Sequence, residues 1–141
     1  MQSVLKIQNL SVEYHTFDGK ARAVNNLDLE IGEGESLGLV GETGAGKTTT
    51  ALSILRLLPR PVGRIVSGSI KFKDRELLTA PEVELRKIRG NKISMIFQNP
   101  MTSLNPVYTI GEQIAGVIKQ HQRLSDKEAL KQAGKMLELV G

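Results

Sequence analysis

With 141 residues, 40% of them hydrophobic, a formal net charge of +4 and no cysteine, the chain has the makeup of one compact domain with a real core. These values exclude a disulfide framework and a thiolate metal site. No apolar run approaches the roughly 18 to 20 residues that a membrane-crossing helix needs.

The opening stretch alternates polar and apolar residues, unlike the charged head and apolar run of a secretion signal. The alternation over Val4 to Tyr14 predicts a strand. Phe17 to Arg22 reads as a turn on Asp18-Gly19, and Ala23 to Ile31 as the returning strand of a β-hairpin. After a turn at Gly32 to Glu35, the short apolar run Ser36 to Val40 has the character of a buried parallel strand. Thr48 to Leu58 has helical spacing and is expected to stop at Pro59 and Pro61. Ser67 to Asp74 predicts a strand, and Pro81 to Gly90 a helix with proline in its first turn and glycine at its end. Lys92 to Phe97 predicts a second buried strand, and Met101 to Pro106 a loop. Two helices follow, each opening on a capping-box spacing, Thr109 with Glu112 and Ser125 with Glu128.

The chemistry centres on "GETGAGKTTT", Gly41 to Thr50. Gly41, Gly44, Gly46, Lys47 and Thr48 fit the phosphate-loop pattern G-x-x-x-x-G-K-[ST]. Glycines let the backbone curl so that successive N–H groups point at the β- and γ-phosphates. Lys47 brings a mobile positive charge, the Thr48 hydroxyl is placed to ligate Mg²⁺, and the following helix adds its N-terminal dipole. A chance glycine-rich turn is the bland alternative. An apolar run directly before the loop and a helix directly after it argue against that.

Magnesium-bound water and a general base would come from a strand of four apolar residues ending in an acid. No such strand follows the loop, and Asn25 to Glu30 precedes it and alternates. The basic residues, 19 Lys and Arg against 15 Asp and Glu, are scattered, and aromatics make up only 4%. Direct nucleic-acid binding is therefore not expected. The densest basic cluster, Leu85 to Lys92, reads as a solvated helix face.

Tyr14, the loop, "MIFQNP" (Met95 to Pro100) and the helical segment after it together resemble an ABC-transporter ATPase. "IRGNKISMIFQNPMTSLNP" (Ile88 to Pro106) is similar, nearly word for word, to the oligopeptide/dipeptide permease branch, and Ser11 to Ile31 resembles that branch too. The resemblance covers the whole chain. It implies an α/β P-loop NTPase fold of ABC-ATPase type. Residues 1–35 would form an antiparallel β subdomain, 36–99 a partial RecA-like core, and 100–141 the start of a helical subdomain.

Residue roles follow from the same resemblance. Gly41, Glu42, Thr43, Gly44, Ala45, Gly46, Lys47, Thr48 and Thr49 would hold ATP, and Thr48 and Gln98 would hold Mg²⁺. Lys47 and Gln98 would act in catalysis, with Gln98 also sensing the membrane partner. Tyr14 would stack on adenine, with Phe17 as its rival in the same region. Core packing in the hairpin is the alternative for both. Serines usual around the second glycine are replaced by Thr43 and Ala45, which leaves the cradling N–H groups in place. His15 and His121 read as ordinary surface residues.

Family members carry a signature motif, a Walker-B glutamate and a switch histidine further on. None is present, so the chain is expected to be a fragment that binds ATP without turnover. The implied partners are transmembrane permease subunits and a second ATPase subunit, the same or a paralogue. The implied location is the cytoplasmic face of the cell membrane, reached only through partners. The cargo, whether peptide, nickel or glutathione, is not written in these residues. Two other classes compete: a non-catalytic nucleotide-binding or regulatory module, and a soluble ATPase of DNA maintenance. The second would need a long heptad coil, and the helical region is broken at Gln122 to Asp126.

Overall fold

The structure is a computed structural model and describes residues 3–141. It is an α/β fold with an antiparallel sheet and four helices, divided into two compact units at Leu85 and Arg86.

The first unit is built on the hairpin. β1 (Ser3–Thr16) and β2 (Gly19–Gly32) pair antiparallel, β3 (Gly63–Phe72) lies on the other side of β1, and the short β4 (Arg75–Glu76) follows, giving the order β2-β1-β3-β4. The hairpin turn is tighter than the sequence suggested, because Lys20, Ala21 and Arg22 already pair with His15, Tyr14 and Glu13. An ion pair at 3.3 Å from Arg22 to Glu13 favours this extension of the ladder. Lys73 and Asp74, both at positive φ, close the two-residue turn from β3 to β4, the backbone twist such hairpins require. Ile7, Leu10, Val12, Ile70 and Leu77 are fully buried. Each large side chain among them contributes about 1.5–3 kcal/mol of transfer free energy.

Helix α1 (Lys47–Ile54) ends well before Pro59 and Pro61, the expected stop. Arg56 takes a left-handed conformation, Leu57 N–H donates to Leu52 C=O at 2.8 Å, and Arg56 N–H to Ser53 C=O at 3.0 Å. This Schellman pairing satisfies the last carbonyls and terminates the helix by itself.

Two expected strands are absent. Ser36 to Val40 and Lys92 to Phe97 form no ladder with any described residue, apart from one isolated bridge between Ile93 and Arg89. Val40 is 97% and Ile96 93% exposed. A parallel strand exists through its neighbours; no described residue supplies one, so the apolar runs remain unpaired.

Helix α2 (Glu82–Ile88) straddles the boundary between the units and ends, as expected, near Gly90 at positive φ. In the second unit the expected loop at Met101 contains a 3₁₀ turn, Pro100–Ser103, fastened by the Thr102 hydroxyl donating to Asn99 C=O at 2.8 Å. Helices α3 (Ile110–Gln122) and α4 (Asp126–Val140) both carry the full capping boxes read from the sequence. They pack through Ala115, Ile118, Ala129 and Ala133, with Ile114 and Leu124 at the margin. Lys119 pairs with Asp126 across the connection. At 13 and 15 residues they form a short helical hairpin with no sustained coil.

Candidate functional site

The glycine loop runs into α1 without a side-chain cap. Gly46 is the N-cap residue in a left-handed conformation, and the first bond of the helix is Thr50 N–H to Gly46 C=O at 2.8 Å. The N–H groups of Lys47, Thr48 and Thr49 consequently have no acceptor within the helix. Unsatisfied donors and the positive end of the dipole face the same opening, which is the physical requirement for holding an anion.

The hairpin fixes the floor of the loop. A Cβ on Gly46 would lie 2.4 Å from Ala23 C=O and 3.3 Å from a Val24 methyl, so β2 and the loop backbone meet at a point where only glycine fits. Gly44 also has positive φ but faces open space. Within the loop, Ala45 N–H donates to Glu42 C=O at 3.1 Å, making a tight turn. Lys47 Nζ donates to the carbonyls of Gly41 at 2.5 Å and Glu42 at 2.7 Å. No carboxylate among the described residues pairs with Lys47, so its charge is held inside the loop by neutral groups. A phosphate would offer that ammonium a stronger, charge-assisted acceptor.

The threonines divide their work by burial. Thr48 is exposed, whereas Thr49 and Thr50 are buried. Thr50 Oγ1 donates to Gly46 C=O at 2.9 Å, and Ser53 Oγ to Thr49 C=O at 2.7 Å, both tying hydroxyls back onto the helix. The Tyr14 hydroxyl shares a hydrogen bond with Thr49 Oγ1 at 3.2 Å, linking the hairpin to the first turn of α1. These residues and Ala23 were missed as supports in the sequence. The run of three threonines opening a helix, where β-branched hydroxyl residues are disfavoured, was the available signal.

The two aromatic candidates differ sharply. Tyr14 is half-buried within the sheet, while Phe17 occupies the hairpin turn and is fully exposed. Gln98 belongs to the second unit, where it is exposed in the irregular segment before the 3₁₀ turn. The structure thus brings Tyr14 and Gly41 to Thr49 together in one unit and places Gln98 in the other. His15 and His121 are both half-buried at the surface. His15 Nε2 lies 3.2 Å from a Glu13 carboxylate oxygen, and His121 lies beside Gly90. The Glu13 carboxyl is held below its ordinary range, chiefly by the hydrogen bond with His15 and then by that from Arg22.

The family pattern described as ABC transporter matches residues 24–141, taking in the loop, the Gln98 segment and both final helices. The chain belongs to the ABC transporter family. Membership implies nucleotide binding, and the loop geometry fits that role. A probable peptide ABC transporter ATP-binding protein of Sinorhizobium fredii is 47% identical over 137 residues, covering 97% of this chain and 41% of that protein. The oligopeptide transport ATP-binding protein AppD of Bacillus subtilis is 45% identical, covering 100% of this chain and 43% of that protein. The chain therefore spans about two-fifths of the length of these relatives. A dimeric bacterial ABC transporter cassette superposes with a TM-score of 0.78 at 27% identity, over 95% of this chain and 56% of that one. A second dimeric ATP-binding cassette, in a post-hydrolysis state bound to ADP and Pi, gives 0.75 at 25% identity over the same shares. Among the described residues, no helix is long and apolar enough to cross a membrane.

Proposed function

We propose that the chain is part of an ATP-binding subunit that couples ATP binding and hydrolysis to import of peptides or a related small solute. The observation that carries this reading is the curled loop: uncapped helix N–H groups and an ammonium held by two carbonyls, with no carboxylate to neutralise it. Gly41 to Thr49 cradle the phosphates, and Lys47 turns from the Gly41 and Glu42 carbonyls to phosphate oxygens. The Thr48 hydroxyl is exposed beside the loop and would ligate Mg²⁺. When bound, that ion neutralises charge on the phosphate oxygens. Tyr14 would present its ring to adenine while its hydroxyl holds Thr49. No residue of the chain is assigned the general base, so turnover by the chain alone is expected to be negligible.

Residues 1–35, 36–99 and 100–141 would serve as adenine-side β region, phosphate core and start of the helical region. Transmembrane permease subunits and a second ATPase subunit would be the partners, at the cytoplasmic face of the membrane. The names of these relatives favour a peptide cargo.

Calorimetric titration with Mg-ATP tests the binding claim. Wild-type chain is expected to give a saturable heat, with affinity falling about ten- to a hundredfold in Lys47→Ala, the loss of one charged hydrogen-bonding group. Equal affinities for the two proteins would refute it.

A further inference from the structure

The outer edge of β3 is open. β1 pairs along one side of that strand, from Leu5 facing Phe72 to Tyr14 facing Gly63. On the other side β4 pairs only with Lys71 and Phe72, and Leu77 N–H reaches Ile70 C=O at 2.8 Å. Gly63 N–H is taken by Pro59 C=O at 2.7 Å. Between these points Arg64 to Gly68 has no strand partner on its outer side among the described residues. The register fixes which groups are left. His15 N–H donates towards Val62, so Glu13 and Arg64 face each other across the ladder, and the N–H and C=O of Ile65 point outward.

Beside this edge lies a groove of about 510 Å³. Arg56, Arg60 and Arg64 line it together with Leu58, Val66 and Leu78, and its lining contains no acidic residue. Arg56 is fixed, donating to Ala80 C=O at 2.6 Å and Leu77 C=O at 3.5 Å. Arg60 and Arg64 are exposed and make no ion pair among the described residues. The acid opposite Arg64 in register, Glu13, is already held by His15 and Arg22. Positive charge, apolar footing and an outward-facing peptide group therefore coincide along one short edge.

We propose that this edge and groove bind an extended acidic peptide segment of a partner protein, added as a further strand beside Arg64 to Gly68. An added strand satisfies both the outward N–H and the outward C=O of Ile65, and alternate side chains can reach Leu58, Val66 and Leu78. Guanidinium groups at Arg60 and Arg64 match carboxylates in paired, planar hydrogen bonds. An anionic lipid surface supplies acceptors for the arginines but not the regularly spaced donor and acceptor of a neighbouring strand that the Ile65 C=O and N–H would meet, so the edge favours a peptide.

Fluorescence anisotropy with labelled ten-residue peptides tests this. A peptide of alternating Asp and Val is expected to bind the chain. The same peptide N-methylated at every residue, which keeps the charge and removes the donors of both edges, is expected to bind at least about tenfold more weakly. A peptide with Lys in place of Asp is expected not to bind. The Arg60→Ala/Arg64→Ala variant, changed at two exposed positions, is expected to lose at least about tenfold in affinity for the Asp peptide. No binding by the Asp peptide, undiminished binding by the double variant, or equal binding of the methylated and unmodified peptides would each overturn the proposal. Equal peptide binding joined to Arg-dependent sedimentation with phosphatidylserine vesicles would reassign the groove to anionic lipid.

Discussion

Gly46 meets two requirements at once, a positive φ and contact of its backbone with Ala23, so it is the residue on which loop and hairpin both depend. Gly46→Ala is expected to destabilise the chain by about 2–5 kcal/mol, combining a left-handed penalty of about 1–2 with overpacking of about 1–3. Gly44→Ala has the same backbone penalty but open space, and is expected to cost only about 1–2 kcal/mol. Urea unfolding midpoints of the two variants check the order, and equal midpoints would show that the Ala23 contact does not constrain the loop. At this scale the sequence exposed the residues whose type the chemistry demands. Gly41, Gly44, Gly46, Lys47 and Thr48 stand at a fixed spacing, because a phosphate cradle leaves little freedom in what occupies it. The hydrogen bond of Tyr14 to Thr49 was not legible, since it joins residues far apart in the chain and either could have been an ordinary packing residue.

Elements whose signals are local were read well. The capping boxes at Thr109 and Ser125 form as written, because Glu112 and Glu128 stand three residues on and reach back to the cap N–H groups. Both carboxyls lie below the usual 4.5, first because the cap hydroxyl donates to each and then because the cap N–H does. A depressed folded-state pKa means that the stabilisation is full above the unfolded value and is lost as pH falls through the folded one. Helicity followed by circular dichroism is therefore expected to decline as pH falls below the ordinary carboxylate value of 4.5, and less steeply in Ser125→Ala, which is also expected to cost about 1 kcal/mol at neutral pH. Identical acid profiles would contradict this assignment of the cap. Ser36 to Val40 and Lys92 to Phe97 show the opposite case. Their apolar runs are strand-like, but a parallel strand is defined by neighbours that no described residue provides, so composition alone could not make them strands.

For the whole molecule, the two units carry different parts of the proposed machinery: phosphate loop, hairpin and basic edge in the first, Gln98 and the helical hairpin in the second. The family was legible from the Gln98 segment together with the loop, and the family match over residues 24–141 agrees with that reading. What the loop can bind and what the full subunit does are separate questions, because the chain spans only about two-fifths of its relatives. Binding at the loop is the claim on which the rest depends. Amide hydrogen exchange across Gly41 to Thr50, with and without Mg-ATP, tests it most directly. Exchange there is expected to slow by at least about tenfold in the wild-type chain and to remain unchanged in Lys47→Ala. Unaltered exchange in the wild-type loop, or protection confined to other segments, would contradict it.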